Sequence, residues 1–210
     1  MPATTNALVG LTQRLEGSTS LDGLREVYAV LAVPVDRWSG SELLRSGLIG
    51  HALHPLLTDL PLGFWTSATL LDLRGRQQDR DAAQWLVGAG LLASAPTALT
   101  GLAEWARIGS KEQRVGALHG ALNAVASTLY VTSYVARSRR RHGLGVATAL
   151  LGAAVTSASG YLGGHLTTAR KVGSRDPAFA SDELETPIRP RHVTVPTPPS
   201  DPTVDPGTVS

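Results

Sequence analysis

The chain has 210 residues, a formal net charge of +2, a mean hydropathy of +0.03, no cysteine and one methionine. This composition excludes disulfides, thiolate metal sites, iron–sulfur clusters held by the chain, covalent c-type haem and a thioether axial ligand, and the charge is too small to suggest nucleic acid. The near-zero hydropathy averages polar ends with an apolar middle, from His54 to Leu166, whose charges fall largely in short breaks.

Residues 1–19 read as a loose lead-in. They lack a basic start followed by an apolar run, so the first spanning helix is expected to act as the insertion signal. Ser20 is placed to cap a short amphipathic helix with Leu21, Leu24, Val27, Tyr28 and Leu31 on one face, ended by Pro34. Its modest charge favours a packed cap over a helix lying on lipid.

The first span is expected over about Pro55–Leu73, whose roughly 19 residues at about 1.5 Å rise suffice to cross a bilayer. Pro55 suits a first helical turn, whereas Pro61 lies inside the span and frees the Leu57 carbonyl. The second span is expected over about Ala82–Leu102, with Pro96 inside it and Trp85 and Trp105 as interfacial anchors. The third runs over about Val115–Val135 and the fourth over about Leu144–Leu166. Short connections force antiparallel neighbours. The predicted fold is therefore all-α: an integral membrane four-helix up-down bundle with an N-terminal amphipathic helix and a disordered, Pro-rich C-terminal tail. The organisation is a lead-in over 1–45, a transmembrane domain over 46–170 and a tail over 171–210.

Small residues recur every four positions in the third span (Gly116, Gly120, Ala124, Thr128) and the fourth (Gly152, Thr156, Gly160, Gly164). Such stripes let helices approach closely in lipid; the alternative is room for a flat cofactor. Positive charge is almost evenly divided between the two sides. The connection from Ala136 to Gly143 carries an Arg137–Arg141 cluster whose dense Arg139–Arg141 run argues for that loop being cytoplasmic, and the termini argue the reverse.

The up-down topology carries histidines to one end: His51 and His54 before the first span, His119 early in the third and His165 at the end of the fourth, with Glu104 on the same side. His142, in the opposite loop, and His192, in the tail, read as solvent residues. Asp59, one turn inside the first span, is costly in lipid and is expected to face inward with a partner. Asn123 continues a polar stripe from His119, and Tyr161 stands one turn before His165. Neutral imidazoles on separate helices could hold haem b or a metal ion. The candidate ligands are His54, His119 and His165, with His51 added for a metal and Asp59, Glu104, Asn123 and Tyr161 around them. Two other uses are open: a proton relay from His54 and Asp59 to a quinone, and plain structural hydrogen bonds stapling the helices. Gly50-His-Ala-Leu-His-Pro55 lacks the Glu and four-residue spacing of a zinc-protease motif.

The stretch Gly50-His-Ala-Leu-His-Pro-Leu-Leu-Thr-Asp-Leu-Pro-Leu-Gly63, followed by Trp65, resembles an uncharacterised bacterial membrane-domain family, number 2231 among the domains of unknown function. Pro96-Thr-Ala-Leu-Thr-Gly-Leu-Ala-Glu-Trp105, the His119 region and Ser159-Gly-Tyr-Leu-Gly-Gly-His165 extend the resemblance over roughly residues 40–170. It implies a multi-pass protein of a bacterial-type cell membrane. Family members often continue into a Rieske domain, which implies electron transfer near the bilayer; this chain has no cysteine to ligate such a cluster. The expected partners are thus the lipid bilayer, a separate iron–sulfur or other redox protein, and a second copy in a homo-oligomer. The functional expectation is a redox-associated subunit binding haem b or a metal ion. The alternatives are a non-catalytic membrane anchor or scaffold, or a small transporter subunit.

Overall fold

The computed structural model describes residues 6–45 and 51–173. Among these residues all regular structure is helical: α1 (Ala7–Gly17), α2 (Asp22–Arg37), α3 (Ser41–Leu44), α4 (Leu53–Arg74), α5 (Arg80–Trp105), α6 (Ser110–Ser138) and α7 (His142–Gly164). A π-helical turn over His165–Ala169 follows. Gly50, His192 and residues 174–210 of the expected tail lie outside the described residues, whereas Val172 and Gly173, placed in that tail, pack against the helices.

Local chemistry explains the long helices. Pro55 falls in the first turn of α4, where a missing N–H costs nothing. Gly75 closes α4 at φ +68°, donating its N–H to the Asp72 carbonyl. Pro61 does free the Leu57 carbonyl, and Thr97 Oγ1 of α5 donates to it at 3.2 Å. The carbonyl that the proline frees thus ties α4 to its neighbour.

α4 packs on α5 and α7, and α6 packs on the same two. This leaves α4 and α6 facing each other across a diagonal, joined by side chains rather than by close backbone approach. Helices α5 and α7, within Gln77–Trp105 and His142–Ala169, are long and apolar enough to cross a membrane. α4 and α6 have 22 and 29 residues, so length does not limit them. Their polar residues, among them His54, Asp59, Lys111, Glu112, Arg114 and Arg137, lower their hydropathy.

Several expectations change at the N-terminal side. The lead-in contains a helix, α1, capped by Asn6, whose Oδ1 accepts the Leu8 N–H at 3.0 Å. Pro34 lies inside α2 instead of ending it. The carbonyl it frees belongs to Val30, which is 72% exposed, so outside groups can satisfy it. The face of α2 that packs is Leu24, Tyr28 and Ala32, while Val27 and Leu31 are exposed. Trp105 is buried against this face, with its ring 5.8 Å from that of Tyr28 and its Nε1 donating to the Gln113 carbonyl. Only Trp85 of the two expected anchors is exposed. α6 continues through Arg137, and α7 begins at His142, so both leave the loop assigned to them.

Candidate functional site

The rings of His54 on α4 and His119 on α6 meet across the diagonal with centroids 6.2 Å apart and planes at 86°. Each is held by the next helix in the chain. His54 Nδ1 donates to the Thr97 carbonyl at 2.9 Å, and His119 Nδ1 donates to the Ser159 carbonyl at 2.8 Å. A carbonyl only accepts, so in each neutral ring Nδ1 carries the hydrogen and Nε2 the lone pair. The Ser159 hydroxyl lies 2.9 Å from His119 Nδ1 and donates to the His119 carbonyl at 3.0 Å. Asn123 Nδ2, one turn along α6, donates to His119 Nε2 at 3.1 Å.

Glycine makes room for both rings. A Cβ on Gly101 would stand 2.7 Å from His54 Cε1, and one on Gly163 would stand 3.0 Å from His119 Cε1. Sequence reasoning assigned the close approaches of α7 to Gly152, Gly160 and Gly164. Gly152 does meet the Tyr130 ring, but Gly160 and Gly164 face open space.

The other candidates do not join the pair. His165 Nε2 stands 2.8 Å from Glu16 Oε1 of α1, and Arg170 approaches the same oxygen at 3.3 Å. His51 is exposed, with Nδ1 3.2 Å from the carbonyl of Ala52. Asp59, expected to face inward, is exposed in a groove lined by His51, Pro55, Leu56 and Thr167. Tyr161 is also exposed, at 38%. A helix turns by about 100° per residue, and Asp59 and Tyr161 fall on the outer side of that rotation. Glu104 remains at the histidine end. It accepts the backbone N–H of His54, one of the orphan donors of α4's first turn, while its Oε1 is buried without a hydrogen-bond partner. Among the described residues no group of three or more His, Asp or Glu side chains is placed to hold a metal ion. The expected gathering of four histidines is therefore one pair and two separate rings.

The N-terminal helices close this end through ion pairs that sequence reasoning missed. Arg114 on α6 makes two hydrogen bonds to Asp22 on α2, at 2.8 and 3.1 Å. Arg107 and Arg45 converge on Asp36 at 2.9 and 2.6 Å. The hydrogen bond from Arg114 holds the Asp22 carboxyl below its ordinary value, and that from Arg107 does the same for Asp36. These partners are far apart in sequence, and no local pattern announces them.

Two further layers join α4 to α6. Trp65 and Tyr130 stack with centroids 3.9 Å apart and planes at 12°, and Trp65 Nε1 donates to the Val87 carbonyl at 3.3 Å. At the far end Arg137 Nη1 donates to Asp72 Oδ1 at 2.9 Å, its Nη2 binds Oδ2, and its Nε donates to Ser133 Oγ at 3.1 Å. An acid buried in an apolar helix was the available signal for Asp72.

A family model described as "Predicted membrane protein (DUF2231)" matches residues 50–176. No curated protein and no solved structure matches the chain.

Proposed function

The chain belongs to this family of predicted membrane proteins of unknown function, and on that premise we propose that it is a multi-pass membrane subunit holding one metal centre, haem b iron or a bare ion, between His54 and His119. The carrying observation is the imidazole pair. A metal–nitrogen bond of about 2 Å on each side, added to about 1.1 Å from ring nitrogen to ring centre, lets one ion reach two imidazoles whose centres are up to about 6.2 Å apart. The observed 6.2 Å lies within that reach. Ligating histidines commonly donate their other ring N–H to a carbonyl, as both rings do here. His54 and His119 would hold such a centre, which would supply electron transfer, with a separate redox protein as donor.

Exposed apolar side chains on all four long helices support the setting. Leu56, Leu60, Leu70 and Leu73 of α4 and Val125 and Val131 of α6 are exposed, as are Leu92 of α5 and Leu151 of α7. Lipid is the solvent in which such surfaces are stable. The interior polar groups His54, Asp72, His119 and Arg137 of α4 and α6 are paired with backbone carbonyls or with one another, so these helices can span despite their lower hydropathy, with Asp59 left on the outside.

The hydrogen bond from Asn123 to His119 Nε2 favours a second reading, a non-catalytic membrane scaffold, because it occupies both His119 nitrogens within the protein. Purification in detergent, followed by a visible spectrum and metal analysis, separates the two. A Soret band or a stoichiometric metal lost in His54→Ala and in His119→Ala supports the metal centre. A colourless, metal-free protein whose variants lose only stability supports the scaffold.

A further inference from the structure

We infer that α4–α5 and α6–α7 are two copies of one helical hairpin, and that the imidazole pair is a twofold site to which each copy contributes a histidine positioned by its own second helix. His54 and His119, Trp65 and Tyr130, and Asp72 and Arg137 are each separated by 65 positions. These contacts advance together along α4 and α6, so the two helices run parallel. A constant offset follows from any two parallel helices in register, so on its own it carries little. The chemistry at the matched positions does not follow from register.

The second helices supply the independent observation. Thr97 and Ser159, which accept the two Nδ1 hydrogens, are 62 positions apart. Gly101 and Gly163, against which the two imidazoles rest, have the same separation. So do Gly90 and Gly152, which lie against Trp65 and Tyr130 respectively. Val87 and Ala149, both buried beside the stacked rings, repeat it again. Each copy thus carries a histidine and an aromatic ring on its first helix. Its second helix carries a glycine for the aromatic ring, a hydroxyl residue whose carbonyl takes Nδ1–H, and a glycine for the imidazole. The hydroxyl residues occupy matched positions and each crosses to its own first helix, though to acceptors three positions out of register: Thr97 Oγ1 donates to the Leu57 carbonyl and Ser159 Oγ to the His119 carbonyl.

The consequence for the site is specific. Both imidazoles are held as the Nδ1–H tautomer with Nε2 as the lone-pair nitrogen, which in His119 accepts from Asn123, and Gly101 and Gly163 are positioning residues because a methyl group there would displace the ring. What fills the site rests on the reading above; its symmetry does not. The copies differ at the far end, where matched positions hold Asp72 and Arg137. Two acids or two guanidiniums there would repel, so the charge difference favours pairing of unlike copies.

The test is ¹⁵N-histidine NMR of the full chain in detergent, without added metal or haem, with His54→Gln and His119→Gln used to assign the signals. Both rings are expected to show a protonated Nδ1 and an unprotonated Nε2. Gly101→Ala is expected to shift the His54 signals alone, and Gly163→Ala those of His119 alone. A protonated Nε2 on either ring, or a glycine variant that leaves its own histidine unmoved, overturns the inference. If a glycine variant fails to fold, the tautomers of the native chain decide. If a protein with both expected tautomers takes up neither metal nor haem when they are offered, the metal reading fails and the twofold site stands.

Discussion

Arg137 of α6 and Asp72 of α4 form a two-bond ion pair whose side chains are 1% and 2% exposed, with Ser133 linking the same guanidinium to the Gly145 carbonyl of α7. One cation thus ties three helices at the end opposite the histidines. Removing one partner from a buried pair leaves an uncompensated charge and costs about 3–5 kcal/mol. Asp72→Ala is therefore expected to lower stability by about that amount, read by thermal or denaturant unfolding in detergent. Asp72→Leu combined with Arg137→Met is expected to recover most of the loss. A double variant as unstable as the single would show that the charges contribute something packing cannot replace.

Gly90 tests the aromatic layer. A Cβ there would come within 2.2 Å of Trp65 Nε1, so Gly90→Ala must displace the indole from Tyr130 and from the Val87 carbonyl. The expected cost is about 1–3 kcal/mol, typical of overpacking, with a changed near-ultraviolet dichroism. Unaltered tryptophan spectra would show that the layer relaxes without losing the stack.

Acid should loosen the N-terminal cover. Asp22 and Asp36 are held below their ordinary value of 3.8 by Arg114 and Arg107. A carboxyl lowered in the folded state contributes its stabilisation above its unfolded value, and that contribution is lost as pH falls through the folded value. Docking of α2 is thus expected to hold above about pH 4 and to weaken below it. Limited proteolysis at graded pH, with an acid-active protease, reads this directly. Asp22→Asn should show the weakened docking already at neutral pH.

Asn123 separates the two functional readings. If His119 Nε2 is a metal ligand, Asn123→Ala removes a competitor for its lone pair, and loading is expected to stay equal or rise while His54→Ala abolishes it. A fall in loading in Asn123→Ala to the level of His54→Ala would contradict that role for Nε2.

His165 and Glu16 give a contrast. Their contact joins the end of α7 to α1. His165→Ala is expected to expose α1 to proteolysis while leaving any haem or metal content intact. Loss of the bound centre in this variant would restore His165 to the ligand set.

The four long helices were legible because apolar runs of that length, broken by short polar loops, have few other folded forms. The freed Leu57 carbonyl was legible too, since proline removes one specific backbone partner. Placing His54 and His119 at one end required only counting helices. Their direct contact, and the outward turn of Asp59 and Tyr161, depended on helix rotation, which a weakly amphipathic sequence does not define. Arg137 read as a loop charge because an arginine beside Arg139, Arg140 and Arg141 resembles a cytoplasmic cluster, yet α6 runs one turn further and buries it.

By itself the sequence determined that the chain is helical with an apolar middle, which end carries its imidazoles, and which metal chemistries it lacks the thiols to perform. These follow from residue type and from spacing along one helix, which are local properties. Only the tertiary structure decided that two histidines pair while His165 turns to Glu16, that unlike charges close the opposite end, and that two hairpins repeat the same device. Those facts depend on how separate helices rotate against one another, and the small residues that permit such contacts do not specify which neighbour will use them.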